Sequence, residues 1–173
     1  MRPNAISRSA LTCAALAVAL FWALGTIAPA AAQGTGMSFS GLEAVRGEPV
    51  ELRADSLDVD NTTGETLLRG NAVLGQGDMR LAAPVIRIFY DPDASNRILR
   101  LEAEGGVTLV TAEEAAEAQD AIYEVVAGTV TMRGDVILTQ GPNVLSGDRL
   151  TVDLGASRGR MEGNVRTIIQ TTP

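Results

Sequence analysis

The sequence predicts an all-β fold of about twelve or more short antiparallel strands, and three observations predict it. Apolar residues recur with a period of two along most of the chain. A unit of about 29 residues is used roughly four times. Turn residues punctuate the units.

The repeat is the most specific of the three. Four glycines open similar runs: Arg69-Gly70-Asn71-Ala72, Glu104-Gly105-Gly106-Val107, Arg133-Gly134-Asp135-Val136 and Glu162-Gly163-Asn164-Val165, spaced 35, 29 and 29 residues apart. A second marker, a small residue three positions before an apolar or small one, reads Ala54-Asp55-Ser56-Leu57, Ala83-Pro84-Val85-Ile86, Ala118-Gln119-Asp120-Ala121 and Gly147-Asp148-Arg149-Leu150. The two series interlock. Each glycine precedes the next marker by 13 residues, and each marker precedes its glycine by 16, except the second, which needs 22. The extra six residues are Asp91-Pro92-Asp93-Ala94-Ser95-Asn96, whose turn chemistry predicts an inserted loop.

Along the chain, the first element is a secretory signal over 1–32. Arg2 and Arg8 form its positive start, Ala10 to Ala28 its apolar stretch, and Ala30-Ala31-Ala32 a small-residue cleavage site before Gln33. The apolar stretch is long enough to span a bilayer, so a retained anchor over residues 10–28 is the alternative. Cys13, the sole cysteine, is expected to leave with the signal, and with it any thiol or disulfide chemistry. Residues 33–47, rich in Gly and Ser, read as a flexible lead-in, 48–170 as the repeat domain and 171–173 as a tail.

Within the domain, Val50, Leu52, Leu57 and Val59 alternate with Glu51, Arg53, Asp58 and Asp60. Equivalent inward positions hold Ile86 and Ile88, Ala121 and Tyr123, and Leu150 and Val152. Before each glycine the inward pair is Thr66/Leu68, Leu101/Ala103, Val130/Met132 or Gly159/Met161. After it come Ala72/Leu74, Val107/Leu109, Val136/Leu138 and Val165/Thr167. Turns fall at 60–64, Ala127-Gly128 and 155–157. One segment disagrees: residues 112–118, Ala-Glu-Glu-Ala-Ala-Glu-Ala, favour a helix by propensity, but the repeat makes them turn and strand. Stacking the apolar faces of such sheets gives a sandwich, a jelly roll or a β-solenoid.

Composition then excludes function classes. All fourteen basic residues are Arg and there is no His. After the signal, twelve Arg face twenty-one Asp and Glu, a net charge of about −9, which argues against nucleic acid or an anionic membrane as main partner. Without His or a mature Cys, an enzyme needs paired carboxylates. Glu113, Glu114 and Glu117 cluster, but in a segment that reads as a solvated loop. Gly75-Gln76-Gly77 lacks the helix start a phosphate loop needs, and Asp58, Asp60, Asp91 and Asp93 match no calcium loop. No catalytic residue, metal or cofactor is expected.

At this point the chain resembles the OstA/LptA family of periplasmic lipopolysaccharide-transport β-jellyroll proteins. The resemblance rests on Pro49-Val50-Glu51-Leu52-Arg53-Ala54-Asp55, on Arg69-Gly70-Asn71-Ala72-Val73, and on Gln76-Gly77 leading into Leu81-Ala82-Ala83. It continues through Ala118 to Glu124, Arg133 to Gln140 and Leu145 to Val152, and covers about 49–170. It implies an open, OstA-like β-jellyroll that binds the acyl chains of lipopolysaccharide. It also implies edge-strand pairing with the inner- and outer-membrane jellyroll proteins of that pathway, or head-to-tail pairing of this chain with itself. The expected interior is lined by Val50, Leu52, Leu57, Val59, Leu74, Ile86, Leu109, Tyr123, Met132, Leu138 and Leu150, with ordinary core packing as the simpler role for each. Beside the carrier stand an anchored relative in the same pathway, LptC-like, and a structural envelope repeat that binds no lipid.

Overall fold

In the strands Glu65–Gln76, Ala94–Val110 and Thr129–Gln140 the ladder shifts register where the repeat places its glycine. The computed structural model describes residues 35–38, 47–60 and 62–170. Eleven strands occur among them: β1 (Thr35–Ser38), β2 (Glu51–Arg53), β3 (Ser56–Asp60), β4 (Glu65–Gln76), β5 (Met79–Asp91), β6 (Ala94–Val110), β7 (Glu114–Glu124), β8 (Thr129–Gln140), β9 (Asn143–Asp153), β10 (Arg158–Glu162) and β11 (Arg166–Ile168). All pairings are antiparallel, and the path runs β1-β10-β9-β8-β7-β6-β5-β4-β2, with β3 also on β4 and β11 also on β9. Eleven strands among the described residues agree roughly with the expected number of about twelve or more.

The corners explain the repeat. Gly70, Gly105, Gly134 and Gly163 have φ of 73, 89, 81 and 74°. The residues after them, Asn71, Gly106, Asp135 and Asn164, are left-handed too, at 45, 100, 49 and 47°. Two successive left-handed residues require Gly and then Gly, Asn or Asp, the types that adopt this conformation at least cost. The ladders shift register at these points, as between Arg69 and Ala72, Glu104 and Val107, and Arg133 and Val136. A bulge bends a strand, so each long strand contributes one arm to each of two facing layers.

The markers are what the corners lean on. Asp55 N–H donates to the Gly70 carbonyl and Asp148 N–H to the Gly163 carbonyl, both at 2.9 Å. Asn71 Nδ2 donates to Asp55 Oδ2 at 2.9 Å, Gln119 Nε2 to Asp135 Oδ2 at 2.8 Å, and Asn164 Nδ2 to Asp148 Oδ2 at 2.9 Å. Each of these pairs is separated by 16 residues, the spacing visible in the sequence. The second repeat substitutes Pro84 packed near Gly105.

The core sits between the two layers, and every inward pair of β4 to β10 is buried, from Thr66 and Leu68 to Gly159 and Met161. Turns form where expected: Asp60 Oδ1 accepts from Thr62 N–H at 2.8 Å, and Gly64 N–H donates to the Asp60 carbonyl. The Thr62 and Thr63 amides, both donating to Asp60 Oδ1, hold the exposed Asp60 carboxylate below its ordinary pKa.

Four expectations are corrected. Residues 91–96 do not form a loop: Asp91 pairs with Ala94 across a two-residue turn, so the insertion lengthens the β5–β6 hairpin. Residues 112–118 form the turn and strand that the repeat predicts, but the solvated-loop reading of their acidic cluster fails, because β7 starts at Glu114, whose side chain is buried. The lead-in is not structureless throughout, since Thr35–Ser38 pairs with β10. Leu57 and Val59 are not buried but 57% exposed. Their parity is right, for Leu57 pairs with the fully buried Leu68, but β3 is an edge strand that no arm of the other layer covers. The signal and its cleavage site lie outside the described residues, among which no helix is long and apolar enough to cross a membrane.

Candidate functional site

The inner face of the roll is the candidate site. In its middle, Leu74, Ile86, Met132 and Leu150 are 0% exposed, Tyr123 and Leu138 1% and Leu109 2%. These seven predicted lining residues form one core, packed as protein interiors usually are. Val50 and Leu52 are half-buried against it, and Leu57 and Val59 carry the same apolar column out into solvent. The structure thus brings nine of the eleven together in one packed interior and leaves Leu57 and Val59 at its uncovered end. At the other end Val165 is 38% exposed on the inner-face parity.

A polar rim closes the side opposite the corners. Gln76, Thr111 and Gln140 each stand six residues after a corner glycine, at an inward position. The Tyr123 hydroxyl donates to Gln76 Oε1 at 2.7 Å, and Gln76 Nε2 donates to the Glu48 carbonyl at 3.0 Å. Glu114 accepts from the Thr111 hydroxyl and, at 3.2 Å, from Gln140 Nε2. Buried polar groups need such partners. Sequence reasoning missed Gln76, Glu114 and Gln140. The alternation Ala72, Leu74, Gln76 and Val136, Leu138, Gln140 marks them as inward, against their polarity.

The outer face differs. Arg87 pairs with Glu65, with Glu104 at 3.1 Å and with Glu102 at 3.6 Å. Partial burial opposes its charge, but the hydrogen bonds and fields of Glu104 and Glu65 win and raise its pKa. Asp91, backed by Asp93 N–H and Arg97, is held below the ordinary carboxylate range. No group of three metal-ligating residues occurs among the described residues.

Geometry therefore offers an apolar inner column, open at its ends, and an outer face of ordinary ion pairs. Residues 51–158 match the family of the LptA/(LptD N-terminal domain) LPS transport protein. The chain belongs to that family. An uncharacterized protein of Rhizobium meliloti (strain 1021) is 26% identical over 169 residues, covering 94% of this chain and 89% of that protein. The crystal structure of LptH, the LptA homologous periplasmic component of the lipopolysaccharide transport device of Pseudomonas aeruginosa, has a TM-score of 0.65 at 17% identity. It covers 74% of this chain and 99% of that one, and shows that the two LptA-type folds agree. The LptA-type fold identifies the roll as an open β-jellyroll and its two unclosed edges as features of the architecture.

Proposed function

We propose that this chain is a periplasmic lipopolysaccharide carrier, a bridge unit that passes the lipid from inner to outer membrane after its signal is removed behind Ala32. The observation that carries this is the uncovered end of the inner face. Leu57 and Val59 are 57% exposed on the face where the opposing Leu68 is 1% exposed. Acyl chains entering there would meet Leu57, Val59, Leu52 and Val50 first, and each methylene buried contributes about 0.8 kcal/mol. Further travel, past Leu74, Ile86, Leu109, Tyr123, Met132, Leu138 and Leu150, would require the two layers to part. Partners by this reading are the lipid A acyl chains and, by strand addition at the open edges, jellyroll domains of the same family or a second copy of this chain.

A photoreactive side chain at Leu57 or Leu52 should crosslink to lipopolysaccharide, while one at outward Arg53 or Asp58 should not. Equal crosslinking from both faces would defeat the reading. The filled middle of the interior favours one alternative, a structural repeat that binds no lipid, and that outcome would select it. Intact mass separates the soluble carrier from the anchored relative: the first starts at Gln33, the second at Met1.

A further inference from the structure

The strand register defines an intermolecular fit, and β1 sits in it. In all three in-chain hairpins that join a corner strand to the next marker strand, the pairing is the same. The residue two after the corner glycine faces the marker: Ala72 faces Ala83, Val107 faces Ala118 and Val136 faces Gly147. The residue before the glycine faces the one two past the marker: Arg69 with Val85, Glu104 with Asp120, Arg133 with Arg149. The array starts on a marker strand, β2–β3, and ends on a corner strand, β10–β11. Among the described residues, its last corner has no marker strand after it, and its first marker strand has no corner strand before it.

Extending the rule from Gly163 to Ala54 of a second copy fixes the register. Met161 meets Leu57, Arg160 meets Asp58, Gly159 meets Val59 and Arg158 meets Asp60. Directions agree, because every neighbour in the path is antiparallel. Both outward pairs join opposite charges, and directly opposed charges favour pairing. Arg158 and Arg160 are exposed and form no ion pair among the described residues. Asp58, though bridged to Arg69, remains 63% exposed. On the inner face, exposed Leu57 would be set beside Met161, which is fully buried.

Those four positions are already taken. β1 pairs Thr35 with Met161, Gly36 with Arg160, Met37 with Gly159 and Ser38 with Arg158. It runs in the direction and register just assigned to Leu57, Asp58, Val59 and Asp60. We infer that β1 is a displaceable cap, an intramolecular stand-in for β3 of a second copy, and that it must leave β10 before the edges join. The inference rests on the edge pairing proposed above. β1 offers four residues and no carboxylate to Arg158 or Arg160, so a β3 strand carrying Asp58 and Asp60 displaces it by adding two charge pairs.

Self-association of the mature protein, measured by sedimentation equilibrium, tests this in two arms. Met37→Pro removes a strand donor from β1 and should tighten association about three- to tenfold, while Gly36→Asp/Ser38→Asp supplies β1 with the charges of β3 and should weaken it by a similar factor. Far-ultraviolet circular dichroism should stay unchanged in both. The second arm tests the edge itself. Arg160→Asp and Asp58→Arg should each weaken association, and mixing the two variants should restore it. Restoration in the mixture with no response to either β1 variant overturns the cap alone. No loss from either charge reversal overturns the edge pairing, and the cap with it.

Discussion

The Tyr123 hydroxyl reaches across the roll to Gln76 Oε1, 47 residues away in sequence, and donates a 2.7 Å hydrogen bond between two side chains that are both buried. Tyr123 lies on the arm of β7 that pairs with Val130 of β8, whereas Gln76 ends the arm of β4 that pairs with Met79. The bond therefore ties one layer to the other on the side away from the corners. Tyr123→Phe keeps the ring and leaves the Gln76 oxygen short of a donor. The loss should cost about 1–3 kcal/mol, read as a lower urea midpoint with an unchanged m-value.

Corner glycines should not be equal. A Cβ at Gly134 would stand 2.7 Å from Gln119 Cδ, while at Gly105 the nearest atom, on Pro84, is 3.5 Å away. Both positions have positive φ, so Ala at either incurs roughly 1–2 kcal/mol of backbone strain. Gly134→Ala should lower Tm further than Gly105→Ala does. Equal losses would show that the marker side chain moves aside freely.

Position along the inner face should decide what a buried charge does. Ile86→Asp places a carboxylate in a site that is 0% exposed and should unfold the domain, since such a charge has no partner. Leu57→Asp, at a site 57% exposed, should leave the melting temperature within about 0.5 kcal/mol equivalent of the parent and yet reduce lipopolysaccharide crosslinking at Leu52.

The extended β5–β6 hairpin should weaken in acid. Asp91 is stabilised in its charged form by Asp93 N–H and then by Arg97, so its folded pKa lies below its unfolded value. A depressed carboxylate stabilises at pH values above the unfolded pKa, and that contribution fades as pH falls through the folded pKa. Stability should therefore drop as pH goes from neutral to below the ordinary carboxylate range, and Asp91→Asn should flatten part of that slope. Carboxyl carbon chemical shifts, followed by titration, report the Asp91 midpoint directly.

Much of this was legible in the sequence where both layers cover the strand. Along most of the stretch from Thr66 to Met161 a residue's parity and its burial agree, because a half-buried strand has one face to hide. The rule weakens at the ends. Whether Leu57, Val59 or Val165 is covered depends on how many strands stack beyond them, and no local pattern contains that number. β1 was illegible for a related reason: Thr35-Gly36-Met37-Ser38 has no alternation of its own, and its strand exists because β10 offers an unpaired edge. Alternation continuing from Ala72 and Leu74, and from Val136 and Leu138, places Gln76 and Gln140 on the inner face despite their polarity. The acidic cluster misled, since Glu114 belongs to the rim while Glu113 and Glu117 face solvent.

Because the chain turns each corner at an equivalent residue, the roll's length comes in fixed increments. One corner strand plus one marker strand forms a hairpin, and a hairpin adds two strand spacings, about 10 Å. Duplicating a 29-residue unit within the Gly141-Pro142 turn would lengthen the roll by that step, with every existing corner left in place. Adding a single strand would instead reverse the chain's direction and put a corner where a marker belongs. The molecule is in this sense a ruler graduated in hairpins, and its length is set by counting glycines.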